Sequence, residues 1–155
     1  MDTYKNPSTD PNSPTVIQEA DKVLFLLTTK GNTMGGQGQN IDFKARLSDV
    51  VRWRETTLSR NTGYNVQLYD VLLTSKKDLF TSPSSSSFTF KIPVPNPSDP
   101  LNPKEYQEIT DCCWSATICD AGQASYEVYF AVRNRNGVVK GYFKCNFQVK
   151  ITQLK

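Results

Sequence analysis

The chain has 155 residues and a net charge of +3, from 18 Lys and Arg against 15 Asp and Glu. This balance is too even for the dense positive face that nucleic-acid binding requires, and a mean hydropathy of -0.49 leaves no run near the ~18 apolar residues of a membrane span. Histidine is absent, which removes the commonest general base and the commonest metal ligand. Composition therefore argues against nucleic acid, membrane and cofactor as partners, and against an enzyme.

The first part of the chain has a composition unlike the rest. Residues 1–20 are rich in Asn, Pro, Ser, Thr and Asp and predict a flexible N-terminal tail, followed by a single domain over residues 21–155. The tail has neither the basic nor the apolar region of a secretory signal, so we expect a cytoplasmic protein. The apolar run at residues 22–28 predicts a central strand, and the glycine-rich residues 31–39 predict a loop.

Alternation of apolar and polar side chains begins after this loop. Residues 41–47, 50–55 and 64–69 each show the two-residue period of a strand with one buried face. The serines at 82–87 predict a loop before a strand at 88–92. The prolines between residues 93 and 103 then predict an extended crossing segment without ladder hydrogen bonds.

The last third of the chain has the clearest strand patterns, at residues 112–118, 125–133, 138–143 and 147–151. Asn136-Gly137 lies between two of them and favours a type I′ hairpin. About eight or nine strands with frequent turns predict an all-β fold, an antiparallel β-sandwich of jelly-roll-like form.

Several of these segments are similar to one known family. The most distinctive are Arg52-Trp53-Arg54, the proline-punctuated residues 96–104, and the Arg135-Asn136-Gly137 turn followed by Gly141-Tyr142. In this order they resemble the PixA/AidA family of bacterial inclusion body proteins, over about residues 21–153. The resemblance implies a small β-sandwich found in intracellular inclusions of some host-associated bacteria, without established enzymatic activity.

Four cysteines invite a zinc interpretation, but Cys112 and Cys113 are adjacent in a predicted strand and point to opposite faces. We therefore expect free thiols and no metal site. A disulfide between Cys113 and either Cys145 or Cys119 in an aged sample remains an alternative.

Surface aromatic and arginine side chains are the candidates for ligand or partner contacts. Trp53 shares the parity of Val51, which favours core packing over a ligand platform, and for Trp114 both interpretations stay open. The candidates are Arg52, Trp53, Arg54, Tyr69, Trp114, Tyr129 and Arg133.

Two functions follow from these patterns and the resemblance. The first is a non-enzymatic inclusion body protein whose partner is itself, packed through repeated contacts into cytoplasmic inclusions. The alternative is a carbohydrate-binding protein, since jelly-roll sandwiches often serve as lectins and oligomers gain avidity.

Overall fold

The computed structural model describes residues 6–19, 33–35, 39–55, 57, 63–99 and 101–154. Within these residues the secondary structure is entirely β, and no helix is present that could span a membrane. The predicted all-β class is confirmed. The strands are β1 (Thr15–Val16), β2 (Thr33–Gly35), β3 (Asn40–Ala45), β4 (Val50–Trp53), β5 (Tyr64–Leu73), β6 (Ser84–Val94), β7 (Glu105–Thr117), β8 (Gly122–Asn134) and β9 (Val139–Gln153).

The strands form two sheets. The larger has the order β2-β3-β9-β8-β5, and the smaller has the order β4-β7-β6. β1 and β3 both pair with β9 in parallel, β1 opposite Phe143 and Lys144 and β3 opposite residues 148–153. The other pairings described are antiparallel. β9 thus organises the larger sheet, with β8 on one side and β1 and β3 in succession on the other.

The strand boundaries differ from the sequence pattern in several places. The predicted strand at 22–28 lies outside the described residues, and β2 falls within the predicted glycine-rich loop. β9 is one continuous strand where two were expected, and β6 begins inside the predicted serine loop. β7 begins at Glu105 because its first residues pair with β6 through the backbone, although they have no apolar alternation.

The main core lies between the two sheets and is built around aromatic rings. Phe80, Tyr126 and Phe147 are buried and in mutual contact through Tyr126, with ring centroids 5.3 and 5.6 Å apart. The Trp53 ring meets Phe80 edge-on at 5.2 Å. The Tyr126 hydroxyl donates to Asp78 at 2.9 Å and accepts from the Leu79 amide at 3.1 Å, so this buried polar group is satisfied.

The N-terminal segment, whose composition predicts flexibility, lies against β9 over residues 7–17. The Tyr142 amide donates to the Ser8 carbonyl at 2.8 Å, and the Ile17 amide donates to the Lys144 carbonyl at 2.9 Å. Ile17 is only 6% exposed and packs in a second apolar cluster with Phe143 and Cys145. Backbone hydrogen bonds to the edge of β9 and one buried side chain hold this polar segment in place. Neither feature can be predicted from the average composition of the segment.

The predicted hairpin between β8 and β9 is present, but its turn is not of type I′. The Gly137 amide donates to the Asn134 carbonyl at 2.9 Å, and Gly137 has a φ of 78°. Asn136 is not among the residues with positive φ, whereas type I′ requires it at both central positions. The geometry is that of a type I turn followed by a left-handed glycine.

The Tyr126 hydroxyl gives a test of this core. We expect Tyr126→Phe to lower the free energy of unfolding in urea by about 1–3 kcal/mol, because the buried Leu79 amide then has no acceptor. The control is Tyr106→Phe, which removes a hydroxyl from a residue that is 61% exposed and should change stability little. Equal stability of Tyr126→Phe and the wild type would contradict this account of the core.

Candidate interaction surface

The outer face of the three-stranded sheet has an exposed apolar stripe. Phe88, Phe90 and Val94 share one face of β6 and are 40, 38 and 37% exposed. The Phe88 and Phe90 rings are stacked, with centroids 5.9 Å apart. Their cross-strand partners in β7 are Asp111, Ile109 and Glu105, respectively. This part of the ribbon, residues 88–94 and 105–111, is exposed at most positions on both faces, and we call it the arm.

Arg54 connects the arm to the end of β4. Its guanidinium carbon lies 5.4 Å from the centroid of the Phe88 ring, and the same group forms an ion pair with Asp111. A cation over an exposed ring contributes about 0.5–1 kcal/mol, so Arg54 steadies the Phe88 ring in its exposed position. Arg52 is exposed on the same face, opposite Ser115 of β7. The structure therefore places Arg54 in contact with the stripe and Arg52 on the same face of the sheet.

The two candidate tryptophans lie on the other side of this sheet. Trp53 and Trp114 are cross-strand partners, both half-buried and packed against the main core. The Trp114 indole donates to the Leu68 carbonyl of β5 at 3.3 Å. The tryptophans thus join the two sheets and are separated from the exposed stripe by the sheet itself.

Tyr69 and Tyr129 meet on the outer face of the larger sheet. A β-bulge at Tyr69 places its ring 6.0 Å from that of Tyr129 and 5.8 Å from that of Tyr142. The Tyr69 hydroxyl donates to the Pro11 carbonyl at 3.0 Å, so the N-terminal segment covers part of this cluster. Burial is the main cause that raises the pKa of Tyr69. Tyr142 is not among the contact residues predicted from the sequence, although Gly141-Tyr142 is one of the motifs that carry the family resemblance.

A carboxylate and an amine complete the tyrosine cluster. The Tyr129 hydroxyl donates to Glu127, and the Lys144 ammonium lies 3.1 Å from the same carboxylate and 5.6 Å from the centroid of the Tyr129 ring. The bond to Glu127 raises the pKa of Tyr129 to about 12. The pKa of Glu127 is lowered, first by the Tyr129 hydrogen bond and then by Lys144. The Tyr129 hydroxyl and the Lys144 ammonium therefore share the Glu127 carboxylate as their partner.

Arg133 is held at the β8–β9 turn, where its guanidinium donates to Gln67 at 3.2 Å and to the Gly137 carbonyl at 3.1 Å. Its cross-strand partner in β5 is Asn65 and its partner in β9 is Val139. These bonds to the turn give Arg133 a structural role in the hairpin, and they do not place it with the stripe on the smaller sheet.

A shallow depression of about 470 Å³ lies on the larger sheet, and most of the residues that line it are polar. No described feature tests the carbohydrate-binding alternative, which stays a prediction. The lining includes Gln39, Asn40, Glu127, Asn146 and Gln148.

The cysteines are all free: Cys112 and Cys119 are exposed, and Cys113 and Cys145 are buried. Burial raises the pKa of the Cys145 thiol to about 11, which keeps it protonated at neutral pH. In the part of the chain that the structure describes, no three potential metal-ligating side chains form a group.

The charged partners of Tyr129 give a pH-dependent test. Because the folded state lowers the pKa of Glu127 below its ordinary value of 4.5, its charged form stabilises the protein above that pH, and this contribution is lost as the pH falls through the folded value. We expect Glu127→Gln to unfold at lower urea concentration than the wild type at pH 7, with a smaller difference at pH 3. Glu105→Gln, at an exposed position in the arm, is the control. A difference of equal size at both pH values would contradict the assignment.

Comparisons with known proteins agree with the fold. A family model described as PixA, inclusion body protein, matches residues 1–151. The chain is also similar to the crystal structure of an inclusion body protein (PixA) from Burkholderia cenocepacia J2315, with a TM-score of 0.78 and 22% identity over 97% of this chain and 87% of that chain. At that identity the likeness supports the fold alone, and no curated protein matches. The match of the family model over nearly the whole chain shows that this protein belongs to the PixA family of inclusion body proteins.

Proposed function

We propose that this protein works by self-association into dense cytoplasmic inclusions, rather than by catalysis, and that the outer face of the three-stranded sheet supplies the contact. The inclusion body description of the family supports the general role. The observation that carries the choice of surface is the exposed, stacked pair of Phe88 and Phe90.

The physical argument concerns apolar area. Removing apolar surface from water stabilises a contact by about 25 cal/mol per Å², and aromatic rings supply the largest areas. Phe88, Phe90 and Val94 form one stripe on the outer face of β6. Interfaces are enriched in aromatic side chains and arginine, and Arg54 stacked on Phe88 provides both in one place.

The larger sheet offers a weaker candidate for the same contact. Its outer tyrosines are half-buried, and the hydroxyls of Tyr69 and Tyr129 are hydrogen-bonded within the chain, Tyr69 to the N-terminal segment. The stripe, in contrast, keeps its rings exposed to solvent. This difference favours the smaller sheet as the associating surface.

Replacing both rings tests the proposal in cells. We expect Phe88→Ser/Phe90→Ser to reduce the fraction of the chain in sedimentable inclusions by roughly tenfold or more, because losing two aromatic rings weakens each contact by on the order of 2 kcal/mol. The measurement is fractionation of expressing bacteria, with electron microscopy of the cells.

The matched control is Tyr64→Ser/Val138→Ser, which removes two apolar side chains that are 42 and 55% exposed near the β8–β9 turn. This variant should form inclusions as the wild type does. Inclusions of normal abundance from the Phe88→Ser/Phe90→Ser variant, with its fold intact by thermal unfolding, would contradict the proposed surface.

A further inference from the structure

β6 has an open edge. It is the last strand in the order β4-β7-β6, and no described strand pairs with its other side. Because alternate backbone N–H and C=O groups of an edge strand point away from its neighbour, β6 presents a row of donors and acceptors that another extended strand can use. Its side chains are exposed from Ser84 to Lys91, so neither face of this edge is covered.

The edge also lacks most of the features that prevent strands from pairing between molecules. β5, at the edge of the larger sheet, has a bulge at Tyr69, whereas β6 pairs with β7 over eleven residues without a register shift. Charge and proline enter β6 only at Lys91 and Pro93. Residues 84–90 consist of four serines, two phenylalanines and one threonine, which are small or favourable in strands.

We propose that β6 pairs with β6 of a second copy, antiparallel around a two-fold axis at Thr89, and thereby joins two three-stranded sheets into one of six strands. This inference rests on the proposed function. It specifies which strand of the second copy is contacted in the first step of self-association, and in which register. Thr89 is the midpoint of β6, and only a register centred there pairs all eleven residues, with Ser84 opposite Val94 of the second copy.

Side-chain pairing in this register supports the second copy as the occupant. Since opposite residues share a face, Phe88 lies opposite Phe90 of the second copy, and the two stripes merge into one patch of four rings. Lys91 lies opposite Ser87 of the second copy, so the two Lys91 side chains are not directly opposed. Each Lys91 retains its cross-strand neighbour Glu108 within its own chain.

The symmetry of this contact determines how larger assemblies grow. A two-fold contact is closed, because it uses the same edge in both copies. The merged patch of rings on the outer face stays available, and contacts between such patches extend the pair into an inclusion. In this arrangement the edge of β6 forms the dimer, and the stripe forms the contacts between dimers.

Opposite charges at the axis test the register. Thr89 is exposed, and a residue opposite itself in an antiparallel pair has its Cβ about 4.5–5.5 Å from its counterpart. We expect Thr89→Lys and Thr89→Glu each to be mainly monomeric in sedimentation velocity at low salt. Their equimolar mixture should dimerise about tenfold more tightly than either variant alone, and 1 M salt should remove most of that gain.

The control is the same pair of substitutions at Thr110, whose hydroxyl lies 3.0 Å from that of Thr89. Position 110 is one strand farther from the axis, so its two copies are about 14 Å apart and mixing Thr110→Lys with Thr110→Glu should give little gain. Thermal unfolding of each variant confirms that the fold is retained.

The two claims can fail separately. If mixing the Thr89 variants gives no more gain than mixing the Thr110 variants, the pairing of β6 with itself is overturned. If Phe88→Ser/Phe90→Ser still abolishes inclusions in that case, the stripe remains the associating surface and its contact partner lies elsewhere on the second copy.

Discussion

The unbroken ladder between β6 and β7 is the constraint on which the working surface of this protein depends. It pairs eleven consecutive residues, yet most of the arm is exposed on both faces. The arm is therefore stabilised by backbone hydrogen bonds and by the continuation of β7 into the core, and not by burial of its side chains. In its second half, β7 contributes Ala116 to the main core, and the Trp114 indole donates to the Leu68 carbonyl of β5. The core thus fixes the direction in which the stripe and the free edge project.

The larger sheet shows the opposite arrangement. Its outer tyrosines bond to Glu127 and to the N-terminal segment, its edge strand β5 is bulged, and β1 and β3 cover the outer edge of β9. Such features satisfy polar groups within one molecule and discourage pairing between molecules. The smaller sheet keeps its rings and one strand edge available. An asymmetry of this kind allows a chain to remain folded while it associates through one side.

Local patterns in the sequence were enough to predict the all-β class and the buried face of β8, where Tyr126, Phe130 and Val132 alternate. They did not predict the arm, because the serines of β6 and the polar first half of β7 have no apolar period. They also did not place Tyr142 beside Tyr69, since that contact depends on the lateral order of β9, β8 and β5. Arg52 and Arg54 were identified from their type and parity, but the Phe88 ring beneath Arg54 comes from a strand more than thirty residues away.

Amide hydrogen exchange of β6 tests the central claim most directly. The account predicts that the amides of residues 84–94 that point away from β7 exchange quickly in dilute protein and become protected when the protein associates, while amides in the core of β8 remain protected in both states. Association that protects a different strand and leaves β6 in fast exchange would contradict the claim that this edge and its stripe form the assembly surface.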